Sequence, residues 1–410
     1  MAGSLKRIRT RLDIWRQVVW QYRVTATGTL LAAFSVATAL TKLPQPVNVV
    51  GAVVGGAVAL LEIRELRGRA RAVVFQPRVG DTYADIEQSE HDRGHVIRTS
   101  GNVGIVLVSE SQRLRRRSPA AYLDERDYTL PDELTPWSLP FLLRQMRTST
   151  LHNGRVVGLA SDLPPTGATW DTVKLRRVTY FDFVCTNVLA GYDVHEVGLG
   201  RRLKGRELFI NRHGRLRNFA DSSLANVIGV STLALTCDGK LVLPFQTEQN
   251  VGSPDLYPPS GSGALEQQDL PSAGSGLLRD IVIRGATREM CEECNIDRSE
   301  VQETQILGHA RWLSRGGMPE FCAVTLLSVR SEDIESRVVV RAERPYIKMV
   351  ATAYLAPVEQ WNPEEPLAIL PSEIAAKASW PLAFCLSCLA EAMRDRRFRL
   401  REEIGRRVAL

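Results

Sequence analysis

Two hydrophobic regimes divide the chain. From Val24 to Thr41 no charged residue occurs, and after the turn Lys42-Leu43-Pro44-Gln45-Pro46 a second uncharged run continues to Leu61. At about 1.5 Å per helical residue, the first run is long enough to span a hydrocarbon core. The second falls a little short unless flanking residues join it. Leu5 to Arg23 mixes basic residues with Leu, Ile, Val, Trp and Tyr, as an amphipathic helix at a membrane surface does. Gly51 and Gly55, four apart, would let the two runs pack closely. The pattern predicts a helical membrane hairpin within residues 1–71. Arg16 and Arg23 before it, and Arg64, Arg67, Arg69 and Arg71 after it, place both ends on the cytoplasmic side.

Beyond His152 the period shortens to that of strands. Gly154 to Leu159, Val173 to Val178 and Tyr180 to Val184 read as an accessory β-rich segment over 151–223. From Leu224 a second set begins. Val227 to Thr236 and Leu241 to Phe245 are joined by Cys237-Asp238-Gly239-Lys240, whose Asp-Gly is a hairpin signal. Gln305 to Leu313 and Phe321 to Val329 form another hairpin, Met349 to Leu355 a further strand, and Trp380 to Met393 an apolar helix. The fold class is therefore α+β, with residues 224–410 as its main domain. Residues 72–150 are the least regular. Only Gly104 to Val108 reads as a strand, Arg113 to Arg117 as a solvated basic cluster, and His91 and His95 as polar loop residues.

Composition narrows the function. The chain has 410 residues, enough for two or three domains, and a net charge of +6. Much of that charge flanks apolar runs, so no nucleic-acid partner is expected. Seven cysteines without a regular framework indicate a reducing compartment. Cys291-x-x-Cys294 and Cys385-x-x-Cys388 have zinc-like spacing, but the first pair lies on an acidic helical stretch and the second in the apolar run Trp380 to Met393, which reads as a buried helix.

The chemistry concentrates in Arg288-Glu289-Met290-Cys291-Glu292-Glu293-Cys294-Asn295-Ile296. On a helix Glu289, Glu292 and Glu293 fall at i, i+3 and i+4, so three carboxylates share one face. Such crowding suits a hard divalent cation, which takes oxygen ligands and recruits phosphates. The block resembles the Nudix box, G-x5-E-x7-R-E-U-x-E-E-x-G-U with U apolar. Asn295 stands in place of the glycine after the helix, a mild departure because Asn tolerates the left-handed conformation. A literal count puts Gly274 at the first position and Asp280 where the family has Glu. An alternative alignment takes Gly263, within Tyr257 to Glu266, as the loop glycine and treats the stretch around 269–276 as an insertion.

The resemblance implies a Nudix α/β/α sandwich with a mixed sheet. It implies Arg288, Glu289, Glu292 and Glu293 as the catalytic set, the three glutamates as ligands of Mg2+ or Mn2+, and Gly263 or Gly274 at the cofactor-binding loop. The expected reaction is cleavage of the pyrophosphate bond of a nucleoside diphosphate linked to another group. Glu320, Glu332 and Glu343 are candidate general bases, and Arg288 orients the glutamates. The expected partners are that nucleotide derivative, the lipid bilayer and further copies of the chain. The alternative is a membrane effector whose Nudix-like domain senses a nucleotide without hydrolysing it.

Overall fold

A computed structural model describes residues 64, 68, 71–78, 83–148, 151–164, 171–248 and 254–409. The hairpin expected over 24–61 and its basic leader lie outside these residues. Among the described residues no helix is long and apolar enough to cross a membrane. The chain divides into two compact units. One gathers described residues within 1–76, 131–153 and 194–203, and the other holds the rest. This division does not follow the boundaries at 150 and 223 read from the sequence.

In the smaller unit the helix Thr135–Thr148 packs Phe141 on Phe75, with ring centroids 5.1 Å apart, and Arg144 Nη1 donates to the Phe75 carbonyl at 3.1 Å. Trp137 of the same helix lies under the Arg201 guanidinium.

The larger unit is built on a mixed sheet of β1 (Gly94–Thr99), β2 (Asn102–Leu107), β3 (Gly229–Leu235), β4 (Leu241–Gln246), β5 (Gly261–Ala264), β6 (Val301–Trp312), β7 (Met318–Leu327) and β8 (Ile347–Ala353). Its order is β8-β4-β3-β7-β6-β2-β1, with β5 paired to β3. All residues of β3 and β7 are buried, which is why those stretches read as continuous apolar runs. These two strands run parallel, with Glu320 opposite Gly229. The β6–β7 turn needs two consecutive positive φ angles, 62° and 67°, and Gly316 and Gly317 supply them.

Helices cover the sheet on both sides. Three carry most of this packing: α1 (Val108–Arg116), α2 (Leu278–Cys294) and α3 (Trp380–Arg394). Along β3 alternate residues face opposite sides. Val230 joins Ile281, Val282 and Ala286 of α2 in one core, while Ser231 faces Cys385 of α3. Trp380 stacks between Trp312 and Phe384 at 4.9 and 5.5 Å and donates its indole N–H to the Ile97 carbonyl. A side chain on Gly104 would overlap the Trp380 ring, so the glycine admits α3 to the sheet. The helix Arg401–Val408 inserts the Arg407 guanidinium among the carbonyls of Leu235, Thr236 and Leu327 at 2.8–3.2 Å.

Several expectations are corrected. Much of 72–150 is ordered structure, because β1 and β2 extend the main sheet beyond β6. The cluster Arg113 to Arg117 is solvated at Arg116 and Arg117 but not at Arg113 and Arg115. It closes α1, where Arg113 pairs with Asp171 at 3.1 Å and Arg115 donates to the Leu307 carbonyl at 2.7 Å. His95 lies on β1 and meets the Ser387 hydroxyl at 2.7 Å, while His91 stays exposed. Tyr180 to Val184 is not a strand, because Thr179 and Asp182 cap each other's backbone N–H in a reciprocal box that starts a helical turn.

The accessory strands form a separate four-stranded sheet, ordered 275–277, 120–127, 172–179 and 155–159. The last of these bridges to residues 227 and 266 beside β3 and β5.

Candidate functional site

The candidate site grows from the packing of α2 on β5. Helix α2 buries Ile281, Val282, Gly285, Ala286 and Met290, and this stripe turns its last two turns onto the short glycine strand. A Cβ on Gly261 would overlap the Met290 backbone, and one on Gly263 would overlap the Glu289 carboxylate. Two glycines two apart therefore let the strand lie directly on the helix. Between them, the Ser262 N–H donates to Glu293 Oε2 at 3.0 Å.

Gly274 sits elsewhere. It takes φ of 68° in the turn before strand 275–277, and an added Cβ there would meet nothing within 4 Å. Asp280, in the first turn of α2, is 55% exposed and pairs only loosely with its neighbour Arg279. The helix ends at Asn295, which has φ 52° and ψ 45° and thus takes the left-handed conformation that a glycine would otherwise supply.

Arg288 organises the acids around it. Its Nε and Nη2 form a two-pronged bond to Asp269 at 3.0 Å each, and Nη2 also donates to the Ala264 carbonyl at 3.1 Å. Its Nη1 meets Glu289 Oε1 at 3.0 Å and Glu292 Oε2 at 3.2 Å. Burial alone would lower the guanidinium pKa. Asp269, Glu289 and Glu266 outweigh that and hold it above its ordinary value. Asp269 is only 4% exposed and lies in the stretch between the glycine strand and the helix. Nothing in the linear sequence marks it as the partner of Arg288; the one available signal is the local Glu266-x-x-Asp269 capping box that folds it back.

The glutamates differ in their surroundings. Burial pushes Glu289 up to about 7, with Arg288 opposing and Glu292 and Glu266 adding to the rise. Burial and then Glu289 raise Glu293 well above the carboxylate range. The Ser262 N–H opposes that, and Glu343 adds to it. Glu292 is 51% exposed at the rim. Arg288 is shared among Asp269, Glu289 and Glu292, and Glu293 is buried beside them without it, so negative charge is under-compensated here. Among the described residues no group of three or more His, Cys, Asp or Glu side chains converges as a metal-binding set. The donors on hand are oxygen atoms, which suits a hard divalent cation and not zinc.

The candidate bases separate by position. Glu343 is near enough to Glu293 to act on it electrostatically. Glu332 is exposed on the helix Ser331–Glu335. Glu320 projects from β7 to the other side of the sheet, where it accepts from Ser231 Oγ at 3.0 Å and lies against Gly229. The cysteine pairs are likewise apart. Cys291 and Cys294 are on α2 and Cys385 and Cys388 on α3, across the sheet from one another, and none of the seven cysteines is in a disulfide.

No protein-family profile matches the chain, and no curated protein matches it. Among solved structures, DR0079 from Deinococcus radiodurans aligns with 39% of this chain and 80% of its own, at 19% identity and a TM-score of 0.25. Tm1382, described as a candidate Nudix hydrolase, aligns with 37% of this chain and 68% of its own, at 13% identity and a TM-score of 0.22. Likenesses at such scores add no argument to the geometry.

Proposed function

We propose that the larger unit contains a Nudix-like domain that hydrolyses the pyrophosphate bond of a nucleoside diphosphate derivative with Mg2+. The observation that carries this reading is the burial of Glu289 and Glu293 against a glycine strand with too little positive charge to balance them. Burying an acid that way costs stability unless a cation completes the site. Glu289, Glu292 and Glu293 would hold the ion, which when bound neutralises the diphosphate and lowers the pKa of a water.

The chain's own residues do the rest. Arg288, held by Asp269, fixes Glu289 and Glu292 through one guanidinium, a positioning role. The Ser262 N–H orients Glu293. Glu343 is the acid outside the helix placed to take a proton beside this cluster, ahead of Glu320 and Glu332. The N-terminal uncharged runs would tether the domain to the cytoplasmic face of a membrane.

A second reading is a nucleotide sensor that binds without cleaving. The engagement of both Glu289 and Glu292 by Arg288 favours it, because the arginine partly takes the cation's place. A hydrolysis screen of nucleotide sugars, dinucleotides and related diphosphates with Mg2+ decides between them. The enzyme reading expects turnover that the double substitution Glu292→Gln with Glu293→Gln abolishes. Nucleotide affinity with no turnover in wild type or variant would replace it with the sensor.

A further inference from the structure

A second feature next to this cluster has no role in the reading above. On the four-stranded sheet, Arg155 opposes Thr179 and Val157 opposes Arg177, so Arg155, Thr179 and Arg177 point to one face and the two arginines are diagonal neighbours. That face forms an open cleft of about 550 Å3, lined also by Tyr128, Asp182 and Gln267. Two like charges placed diagonally repel, and neither guanidinium has a carboxylate partner among the described residues. Arg177 donates through Nη1 to the Glu125 carbonyl at 3.0 Å, and among the described residues its other donors have no side-chain acceptor.

Two acids, Asp127 and Asp182, line the cleft as well, and among the described residues neither forms an ion pair with Arg155 or Arg177. Asp182 Oδ2 accepts from both the Thr179 N–H and hydroxyl at 2.8 Å, and burial pushes its carboxyl up. Asp127 is exposed at the end of its strand. Planar guanidinium forks with unused donors match the oxygen geometry of a phosphate.

The cleft adjoins the acidic cluster through one short turn. Gln267 lines it, and Gln267–Asp269 is a single 3-10 turn whose Asp269 grips Arg288. Strand 155–159 is tied to the same segment, since Val156 bridges Glu266 and the Val157 N–H donates to the Leu265 carbonyl at 2.8 Å. We infer that Arg155 and Arg177 bind a phosphate group of the substrate other than the diphosphate that is cleaved, an assignment that rests on the hydrolase reading for its place in a reaction but not for binding itself. The ligand class is a phosphate monoester carried on the part of the nucleotide derivative remote from the scissile bond.

Metal-free titration of the full chain isolates this site, because without a cation the neighbouring glutamates repel phosphate. Adenosine 5′-monophosphate is expected to bind at least about tenfold more tightly than adenosine, an advantage worth about 1.4 kcal/mol. That advantage shrinks as salt rises from about 50 to about 200 mM. Arg155→Ala with Arg177→Ala is expected to bring the two ligands within about twofold. Equal affinity of the wild type for both ligands, or an unchanged ratio in the arginine variant, overturns the assignment. Absence of hydrolysis in the screen leaves this result standing, so the two readings fail separately.

Discussion

The two faces of the main sheet each bury a glutamate whose acidity is weakened, and only one of them looks built for chemistry. On the α3 face Glu320 is pushed up to about 8 by burial, against the opposing pull of the Ser231 hydroxyl and Arg315. Its neighbours are Gly229, Ser231 and the thiols of Cys322 and Cys385. A neutral carboxylic acid is well accommodated there. On the α2 face Glu289 and Glu293 are buried too, but Glu289 adds to the rise at Glu293, Glu292 crowds both, Glu266 crowds Glu289, and one arginine serves several acids. A raised pKa is common to both places. What separates them is like-charge crowding beside a strand whose two glycines leave room for the helix, which burial alone does not produce.

The largest expected effect tests the arginine. Arg288→Met leaves Asp269 buried without its partner and should lower unfolding free energy by about 3–5 kcal/mol, measured by urea denaturation. A loss below about 1 kcal/mol would mean that Asp269 is not held as described. On the other face, Glu320→Gln should leave turnover of any substrate found within about threefold of wild type, since the side chain lies across the sheet from the cluster.

The same substitution should also change the pH dependence of stability. The folded Glu320 carboxyl, at about 8, lies above its ordinary value of 4.5, so the folded state retains a proton that the unfolded chain releases. Its contribution is full below the unfolded value and is lost as pH rises toward the folded one. Wild type should therefore lose stability relative to Glu320→Gln between these limits, by on the order of 1 kcal/mol per pH unit. Parallel denaturation curves for the two proteins across that range would remove Glu320 from the comparison. The smallest effect belongs to Asp280→Ala, which should stay within about 0.5 kcal/mol in stability and leave Mg2+ titration unchanged, because the side chain is solvated. A clear loss of Mg2+ binding would restore the alignment that begins at Gly274.

Local signals made much of this legible in advance. The helix with its acids, its end at Asn295, the Asp-Gly turn and the long β6–β7 hairpin follow from short-range spacing, and the structure places each near where that spacing puts it. What stayed hidden depends on distant residues. Asp269 is 19 positions from Arg288, and its acid is indistinguishable in sequence from any loop aspartate. The choice between Gly263 and Gly274 depends on which backbone a helix presses against. β1 is short, and β2, although legible as a strand, finds its partner in β6 some two hundred positions away. The turn at Tyr180 was different, for its Thr179-x-x-Asp182 box was present to be read, and apolar alternation outweighed it.

Arg407 carries a consequence for how the molecule opens. A single guanidinium joins the ends of β3 and β7 to a helix 172 positions downstream of Leu235, with Glu403 steadying it at 2.9 Å. Amide protons at those strand ends should exchange with solvent only when the terminal helix lifts away, so the last helix and the central strands form one cooperative unit. Protection of the sheet floor beneath the acids is in this way governed from the far end of the chain.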